Sequence, residues 1–392
     1  MKNMRVIAKD CAISTGITVI LIAFLETSFR ISRFIFYRLR SPNQNHEEEV
    51  YRDKFIAFDK AVPISDLKAR QIEVGGPLMY KPWIQIGNRD LKGEFGNVFN
   101  GTRVVKDNET LKDCGSEKEI WMFGGSTTYG VGVPYSENIP SFLQQILNKY
   151  NSCFKVINYG VPHHYSKQET INFVNNLLDQ EKTPKAAIFL DGLNDFGQPG
   201  ATIRGEPHFT PALTSMVEKI VTTSQRPKAP ILNLEIISYL QRKILKKSTL
   251  GEAQYMNYQL PSNYTEEQAA KKISELFIKN SRELGKICDA YLVQCFRFLQ
   301  PVAAVDYSPP ANDALTTWVK DEKKTSRFKI GYSLIRQNLD KEILGLILVD
   351  ISKLLENYSG IPYIDGGHYS PRANSLIAES IYSAIAPEII LR

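Results

Sequence analysis

Short apolar runs alternate with amphipathic segments between residues 118 and 190, and this alternation strongly restricts the possible folds. The apolar runs predict strands at Glu119–Phe123, Phe154–Tyr159 and Ala186–Leu190. The segments between them predict helices at Asn138–Tyr150 and at 166–179. Ser166 and Glu169 have the spacing of a capping box at the start of the second helix. Strands that alternate with helices in this way indicate an α/β fold with a parallel sheet and crossover helices.

The stretch from residue 197 to residue 285 interrupts the alternation. Its candidate helices lie at Pro211–Thr223, Ile231–Lys247 and Glu266–Ile287. We expect a helical insertion above the carboxyl edge of the sheet, in a position suited to a lid. Beyond it, the sequence predicts a fourth strand at Ala290–Leu299, a helix near Lys341–Asn357 and a last helix that begins at Ser370-Pro371.

An uncharged apolar run near the amino terminus predicts a membrane-spanning helix. The run extends from Cys11 to Leu25, or to about Phe29 if Glu26 lies near the lipid headgroups. A helix of that longer extent rises roughly 28 Å, enough to cross the hydrocarbon core of a bilayer. No small-x-small cleavage site follows the run, so a signal anchor is favoured over a cleaved signal peptide. Basic residues on both flanks disfavour the other alternative, a buried helix.

The same basic flanks leave the orientation open under the positive-inside rule. The arginines after the run alternate with apolar residues, which predicts an amphipathic continuation along a lipid surface. We expect the body of the chain on the extracytoplasmic side, in the periplasm or at the cell surface. The chain then divides into an anchor at 1–41, a linker with a small β-rich lead-in at 42–115, and a main domain at 116–392. Strand candidates of the lead-in lie at Trp83–Ile86 and Asn97–Val105.

The positive charge of the chain is concentrated at its amino terminus. The formal net charge is +6, and residues 1–45 contribute +5 of it, from seven Lys and Arg against Asp10 and Glu26. Only +1 remains for the rest of the chain. This distribution argues against nucleic acid as a partner.

Five cysteines, at positions 11, 114, 153, 288 and 295, include no C-x-x-C pair. That spacing argues against a zinc site. In an oxidising compartment Cys114 would pair with Cys153 and Cys288 with Cys295; four unpaired thiols are the alternative.

The first predicted strand ends in Gly124-Gly125, and Ser126 follows directly. Ligands of open α/β sheets bind at the carboxyl ends of the strands, where this hydroxyl would lie. The segment lacks the Lys-Ser/Thr of a phosphate-binding loop. It also lacks the second glycine of a G-x-S-x-G nucleophile elbow, because Thr128 occupies that position. Taken alone, it fits a nucleophile or a simple tight turn.

A serine nucleophile needs a base and a group that orients the base. Among five histidines, only His368 lies just before the last predicted helix and close to an acid. That acid is Asp365, and two glycines separate it from His368. A surface Asp and His in a glycine turn is the alternative.

Two further predicted strands also end in polar segments. Asn158-Tyr-Gly160 ends the second strand, and Asn194-Asp195 follows the third. The backbone N–H of Gly160 and the side-chain amide of Asn194 are candidate donors to a developing oxyanion. Each segment on its own also fits an ordinary turn or cap.

In chain order, these four segments resemble the sequence blocks of the SGNH (GDSL-like) hydrolase superfamily. The matching blocks are Phe-Gly-Gly-Ser126 for the nucleophile, Asn158-Tyr-Gly160 for the glycine block, Gly192-Leu-Asn194-Asp195 for G-x-N-D and Asp365-x-x-His368 for the terminal D-x-x-H. The resemblance covers roughly residues 118–200 and 285–390. It implies a three-layer α/β/α, flavodoxin-like fold.

The resemblance also implies the chemistry. Ser126 would be the nucleophile and His368 the general base, oriented by Asp365. The oxyanion hole would comprise the backbone N–H groups of Ser126 and Gly160 and the side chain of Asn194, and no metal or cofactor is implied. Gly125 stands where the family usually carries an aspartate. This variant resembles membrane-anchored SGNH proteins associated with bacterial envelope polysaccharides.

The expected function is a membrane-anchored serine esterase that removes O-acyl groups, foremost O-acetyl groups, from an envelope glycan. An O-acyltransferase with the same triad is the first alternative, and a non-catalytic glycan-binding component of envelope assembly is the second. The expected partners are an acylated carbohydrate or another small ester, and the membrane. His163 and His164 are expected near the pocket mouth, either as substrate contacts or as exposed loop residues.

Overall fold

The computed structural model describes residues 23–32, 78–108, 118–150, 153–179, 182–207, 210, 258–307, 321–339, 343–360 and 362–389. The chain divides into two compact units, Met1–Glu49 with Ala212–Ala253, and Val50–Pro211 with Gln254–Arg392. In the first unit, residues 23–32 are helical, and Arg30 pairs with Glu26 at 2.9 Å.

Most of the predicted membrane span, Cys11–Phe29, lies outside the described residues. In the part of the chain that the structure describes, no helix is both long and apolar enough to cross a bilayer. The helices predicted at Pro211–Thr223 and Ile231–Lys247 also lie outside the described residues.

The second unit is built on a seven-stranded sheet with the strand order β3-β4-β6-β5-β7-β8-β9. The strands are β3 (Val98–Phe99), β4 (Thr102–Arg103), β5 (Lys118–Gly124), β6 (Phe154–Asn158), β7 (Ala186–Asp191), β8 (Gln294–Leu299) and β9 (Leu346–Asp350), and a separate hairpin pairs β1 (Leu78–Lys81) with β2 (Gln85–Asn88). The five strands from β6 to β9 in this order are parallel, whereas β3 and β4 form an antiparallel edge beside β6. After β5 the chain first forms β6 on one side and then β7 on the other. The strand order therefore reverses at β5, and this switch point is where open α/β sheets bind ligands.

Helices cover both faces of this sheet. They are α1 (Ser126–Tyr129), α2 (Ile139–Lys149), α3 (Ser166–Asp179), α4 (Leu193–Gly197), α5 (Pro199–Arg204), α6 (Glu266–Ala290), α7 (Ala303–Asp306), α8 (Glu322–Arg336) and α9 (Pro371–Ile389). Along β5, Ile120 and Met122 pack in one core cluster with α2 and α9. Trp121 and Phe123 pack in another with α3 and α6. Burial on both faces explains the unbroken apolar runs of the strands, and the three-layer α/β/α prediction is confirmed.

The helix predicted near Lys341–Asn357 is wrong, because Leu346–Asp350 forms β9 and pairs with β8. A short run of four aliphatic residues has no period that separates a buried strand from a buried helix. The predicted helix Glu266–Ile287 exists as most of α6. However, α6 contacts β8 and β9 and contributes Leu284 to the core, so it is a layer of the fold rather than part of a lid.

The amino end of α3 also differs from its prediction. Ser166 is the first helical residue, and its hydroxyl donates to Oδ1 of Asp195 at 2.5 Å instead of capping the helix. The expected backbone partner is replaced by a buried carboxylate, which the local sequence pattern does not reveal.

A disulfide joins Cys288 on α6 to Cys295 on β8, as one of the two sequence alternatives predicted. The disulfide spans the short connection between α6, which ends at Ala290, and β8. The predicted start of the fourth strand at Ala290 is therefore wrong, because β8 begins at Gln294. Cys153 is also disulfide-bonded.

Candidate active site

The serine turn lies at the switch point of the sheet. β5 ends at Gly124, and the half-buried Ser126 is the first residue of α1. A Cβ atom added to Gly125 would lie 2.2 Å from Nδ2 of Asn194. Any side chain at position 125 would therefore displace that amide. Close approach of Asn194 gives a physical reason for the glycine at position 125.

His368 and Asp365 form a hydrogen-bonded pair in the turn before α9. Nδ1 of His368 donates to Oδ2 of Asp365 at 2.7 Å. Oδ1 of Asp365 accepts the backbone N–H groups of Gly367 and His368, each at 2.9 Å. Partial desolvation alone would raise the pKa of Asp365, but the charge of His368 and these hydrogen bonds lower it below its ordinary value. An ionised Asp365 fixes Nδ1 as the protonated nitrogen and leaves Nε2 as the proton acceptor.

The opposite ring nitrogen, Nε2 of His368, is buried and accepts or donates no hydrogen bond among the described residues. Nε2 therefore makes no hydrogen bond to the Ser126 hydroxyl in this structure. Such contacts are often long in free enzymes and shorten when substrate binds.

Gln300 connects the serine turn to the histidine turn. Its Oε1 accepts the hydroxyl of Thr127, next to Ser126, at 2.9 Å. The hydroxyl of Tyr369, next to His368, donates to the backbone oxygen of Pro301 at 2.6 Å and lies 3.0 Å from the same Gln300 oxygen. All three side chains are buried. The residues that follow Ser126 and His368 therefore both contact the Gln300-Pro301 segment, which brings the two predicted catalytic segments together.

Sequence reasoning missed Gln300, although a usable signal was present. It directly follows β8, so the criterion that selected Asn194, a polar residue at the carboxyl end of a parallel strand, selects it as well.

Asn194 and Gly160, the two predicted oxyanion donors, differ in how the structure uses them. Nδ2 of Asn194 donates one hydrogen to the backbone oxygen of His164 at 2.6 Å, and a primary amide carries two. The backbone N–H of Gly160 donates to Oδ1 of Asn158 at 2.9 Å. A Cβ atom added to Gly160 would lie 2.3 Å from the backbone nitrogen of Tyr129. Gly160 thus allows its loop to pack on α1, and its N–H is already occupied.

The two neighbouring histidines also have different environments. His164 is fully buried, and its Nε2 donates to the backbone oxygen of Ile86 at 3.0 Å, so it is no substrate contact in this structure. Burial lowers its pKa to about 3, and the ring is neutral. His163 is half-buried, with a φ of 71° and its Nδ1 3.2 Å from the hydroxyl of Tyr258. Burial and then the charge of His368 lower its pKa to about 4.

Arg103 holds the backbone that follows the serine turn. This role was not predicted from the sequence. Its guanidinium donates to the backbone oxygens of Tyr129 at 2.7 Å, Gly130 at 2.5 Å and Val133 at 2.8 Å. Burial lowers its pKa to about 10, so the group stays charged at neutral pH. An arginine of β4, in the antiparallel hairpin beside β6, therefore satisfies carbonyls at and just after the end of α1.

No protein-family model matches the chain, and no curated protein matches it in sequence. Solved structures with a similar arrangement include the acetyl xylan esterase AlAXEase, at 14% identity over 68% of this chain and 99% of that chain, with a TM-score of 0.38. A lipolytic protein of the G-D-S-L family from Veillonella parvula is 14% identical over 70% and 99%, with a TM-score of 0.38. The esterase EstA from a Pseudoalteromonas species is 15% identical over 69% and 98%, with a TM-score of 0.33. Identities and TM-scores this low do not by themselves assign an activity to this chain.

Proposed function

We propose that this chain is an SGNH-type ester hydrolase with Ser126 as nucleophile, His368 as general base and Asp365 as the group that orients the base. The observation that carries the proposal is the hydrogen-bonded pair of Asp365 and His368. Nε2 of His368 is buried and has no hydrogen-bond partner among the described residues, and Gln300 contacts the residues next to Ser126 and His368. Among the described residues, no group of three or more His, Cys, Asp or Glu side chains is arranged to hold a metal ion.

The geometry supports a sequence of proton and acyl transfers. Nε2 of His368 takes the hydroxyl proton while Oγ of Ser126 attacks the acyl carbonyl carbon. The second hydrogen of the Asn194 amide and the backbone N–H of Ser126 donate to the resulting oxyanion. His368 then returns the proton to the departing alcohol, and an activated water releases the acid from the acyl-enzyme. The backbone N–H of Gly160 can donate to the oxyanion only if its hydrogen bond to Oδ1 of Asn158 breaks.

The proposed substrate is an O-acetylated glycan of the cell envelope, reached from an amino-terminal membrane anchor. The resemblance to envelope-associated SGNH proteins supports the substrate, and the apolar run at 11–29 supports the anchor. The disulfide between Cys288 and Cys295 supports an oxidising, extracytoplasmic compartment.

The test uses the full chain in detergent with p-nitrophenyl acetate and with acetylated oligosaccharides. Ser126→Ala is expected to lower kcat at least about 10³-fold, because the nucleophile is lost. Ser375→Ala, which removes a serine hydroxyl on α9, is the matched control and should keep wild-type activity. Equal turnover by wild type and Ser126→Ala would refute the assignment. Mass spectrometry of the oligosaccharide distinguishes release of acetate from its transfer to a second sugar.

A further inference from the structure

Four charged side chains are buried together beneath the turn that carries Asn194. They are Glu169 on α3, Asp191 at the end of β7, Asp195 on α4 and Arg297 on β8, and each is at most 2% exposed. One cation therefore faces three carboxyl groups in a medium that strongly disfavours net charge. The mechanism above uses none of them.

Arg297, the single cation of the cluster, forms an ion pair with Asp191. Nε of Arg297 lies 2.9 Å from Oδ2 of Asp191, and Nη1 donates to the hydroxyl of Ser281 at 2.8 Å. The guanidinium also lies over the rings of Phe189 and Phe277, at 5.5 and 5.4 Å from their centres. The charges of Arg297 and Asp191 thus compensate each other, and two carboxyl groups are left.

Glu169 keeps its proton. Burial raises its pKa well above the ordinary value, and the charge of Asp191 and a hydrogen bond to it raise the pKa further. Asp195 differs, because burial and the charge of Asp191 raise its pKa only to about 7. The Ser166 hydroxyl, Arg297 and the Gly192 N–H oppose that rise. Asp195 is the member of the cluster that changes charge near neutral pH.

The other charged or titratable groups around Asp195 keep their state in this range. Tyr165, just before α3, and Tyr332, on α8, both interact with the Asp195 charge, and burial raises the pKa of each phenol. Arg327 on α8 donates to the backbone oxygen of Phe196 at 2.9 Å and pairs with Glu266. Because these groups do not change charge near neutral pH, Asp195 is the group among them whose charge depends on pH in that range.

Asp195 connects the segments that position Asn194. Its carboxylate accepts the hydroxyl of Ser166 at 2.5 Å and the N–H of Gly192 at 3.3 Å, and its backbone oxygen accepts the hydroxyl of Thr202 at 2.8 Å. Ser166 lies two residues after His164, whose carbonyl holds the Asn194 amide. The turn before Asn194 and the acceptor of its amide are therefore both tied to this one carboxyl group.

We propose that Asp195 is a positioning residue for the Asn194 amide, and that loss of its proton weakens the oxyanion hole and produces the alkaline limb of the pH–rate profile. The inference rests on the proposed function for its kinetic consequence. Its structural part, the coupling of Asp195 to Asn194, is independent of activity. A negative charge one residue from an oxyanion donor opposes the charge that develops in the transition state.

The first experiment measures this coupling without a substrate. The full chain, selectively ¹⁵N-labelled at asparagine, is titrated from pH 5.5 to pH 9, and Asn194→Ser assigns the Asn194 side-chain resonance. We expect that resonance to shift with a midpoint near pH 7 in wild type and to stay constant in Asp195→Asn. A constant resonance in the wild type, or the same shift in Asp195→Asn, overturns the proposal whether or not the protein hydrolyses esters.

The second experiment measures kcat over the same pH range with p-nitrophenyl acetate. We expect the wild-type rate to fall on the order of tenfold above neutral pH, and Asp195→Asn to lose most of that fall with little change in KM. Ser166→Ala is a milder second variant. It removes a hydrogen bond that favours the ionised carboxylate, so the alkaline limb should move to higher pH. An unchanged limb in both variants contradicts the proposal, whereas a wild type inactive at every pH contradicts the proposed function alone.

Discussion

At the scale of single residues, the site depends on hydrogen bonds that fix protonation states. Asp365 accepts two backbone N–H groups on one oxygen and the ring of His368 on the other, so both partners have a defined orientation. Nε2 of His368, which accepts the serine proton in the proposed mechanism, has no hydrogen-bond partner among the described residues. A carboxylate in this role is required for the correct tautomer more than for charge transfer.

Asp365→Asn tests that role. The amide keeps the size of the carboxylate but offers its NH₂ or its oxygen to Nδ1, so the required tautomer is no longer enforced. We expect kcat to fall about 10³–10⁴-fold with little change in the melting temperature, because the native Asp365 side chain is 49% exposed. Asp90→Asn is the matched control, since exposed Asp90 also accepts a backbone N–H, from Gly101 at 2.9 Å. A loss below tenfold for Asp365→Asn would remove Asp365 from the triad.

At the scale of elements, the amino-terminal lead-in is part of the site scaffold. β4 pairs with β6 at Arg103 and Asn158, and both side chains turn to the end of α1. Arg103 donates to three carbonyls there, and Asn158 donates to the Thr128 oxygen at 3.1 Å. The short helix that presents Ser126 therefore depends on β4, a strand that lies outside the SGNH-like blocks.

Arg103→Lys tests this dependence. An ammonium group lacks the planar fork that reaches all three carbonyls, so the end of α1 becomes less defined. We expect fluorophosphonate labelling of Ser126 to slow about tenfold while circular dichroism stays native; Arg103→Met should cost roughly 3–5 kcal/mol of stability. Arg204→Lys changes a surface pair with Glu206 and should leave the labelling rate unchanged. Wild-type labelling by folded Arg103→Lys would contradict the role.

The strands and helices also show which parts of the fold and of the candidate site can be predicted from the sequence. The parallel strands β5 to β8 follow from apolar runs between amphipathic helices, and the order of the polar segments after them predicts the site. β9 was missed because four aliphatic residues fit either structure. The contacts of Arg103, Gln300 and Ser166 join residues far apart in the chain, so no local pattern encodes them.

At the scale of the whole molecule, buried titratable groups give folding opposite responses to acid. Asp195 has a raised pKa, so its burial costs stability as pH rises from about 4 to about 7. His164 has a pKa lowered to about 3. An unfolded chain takes up that histidine's proton near pH 6.5, so the folded state loses stability as pH falls below that value. His163, with a pKa lowered to about 4, acts in the same direction.

His164→Gln separates the histidine contribution from the carboxyl contribution. Glutamine keeps an N–H donor for the Ile86 carbonyl but has no proton to gain, so its stability should depend less on acid. We expect the variant to lose some stability at pH 8, where only packing differs, and to recover roughly 2–3 kcal/mol relative to wild type by about pH 4.5. Urea unfolding of the two proteins at four pH values measures the difference directly, and the pH 8 value serves as the internal control. Parallel stability curves would show that His164 takes up its proton in the folded state, which would contradict its placement as a buried neutral ring.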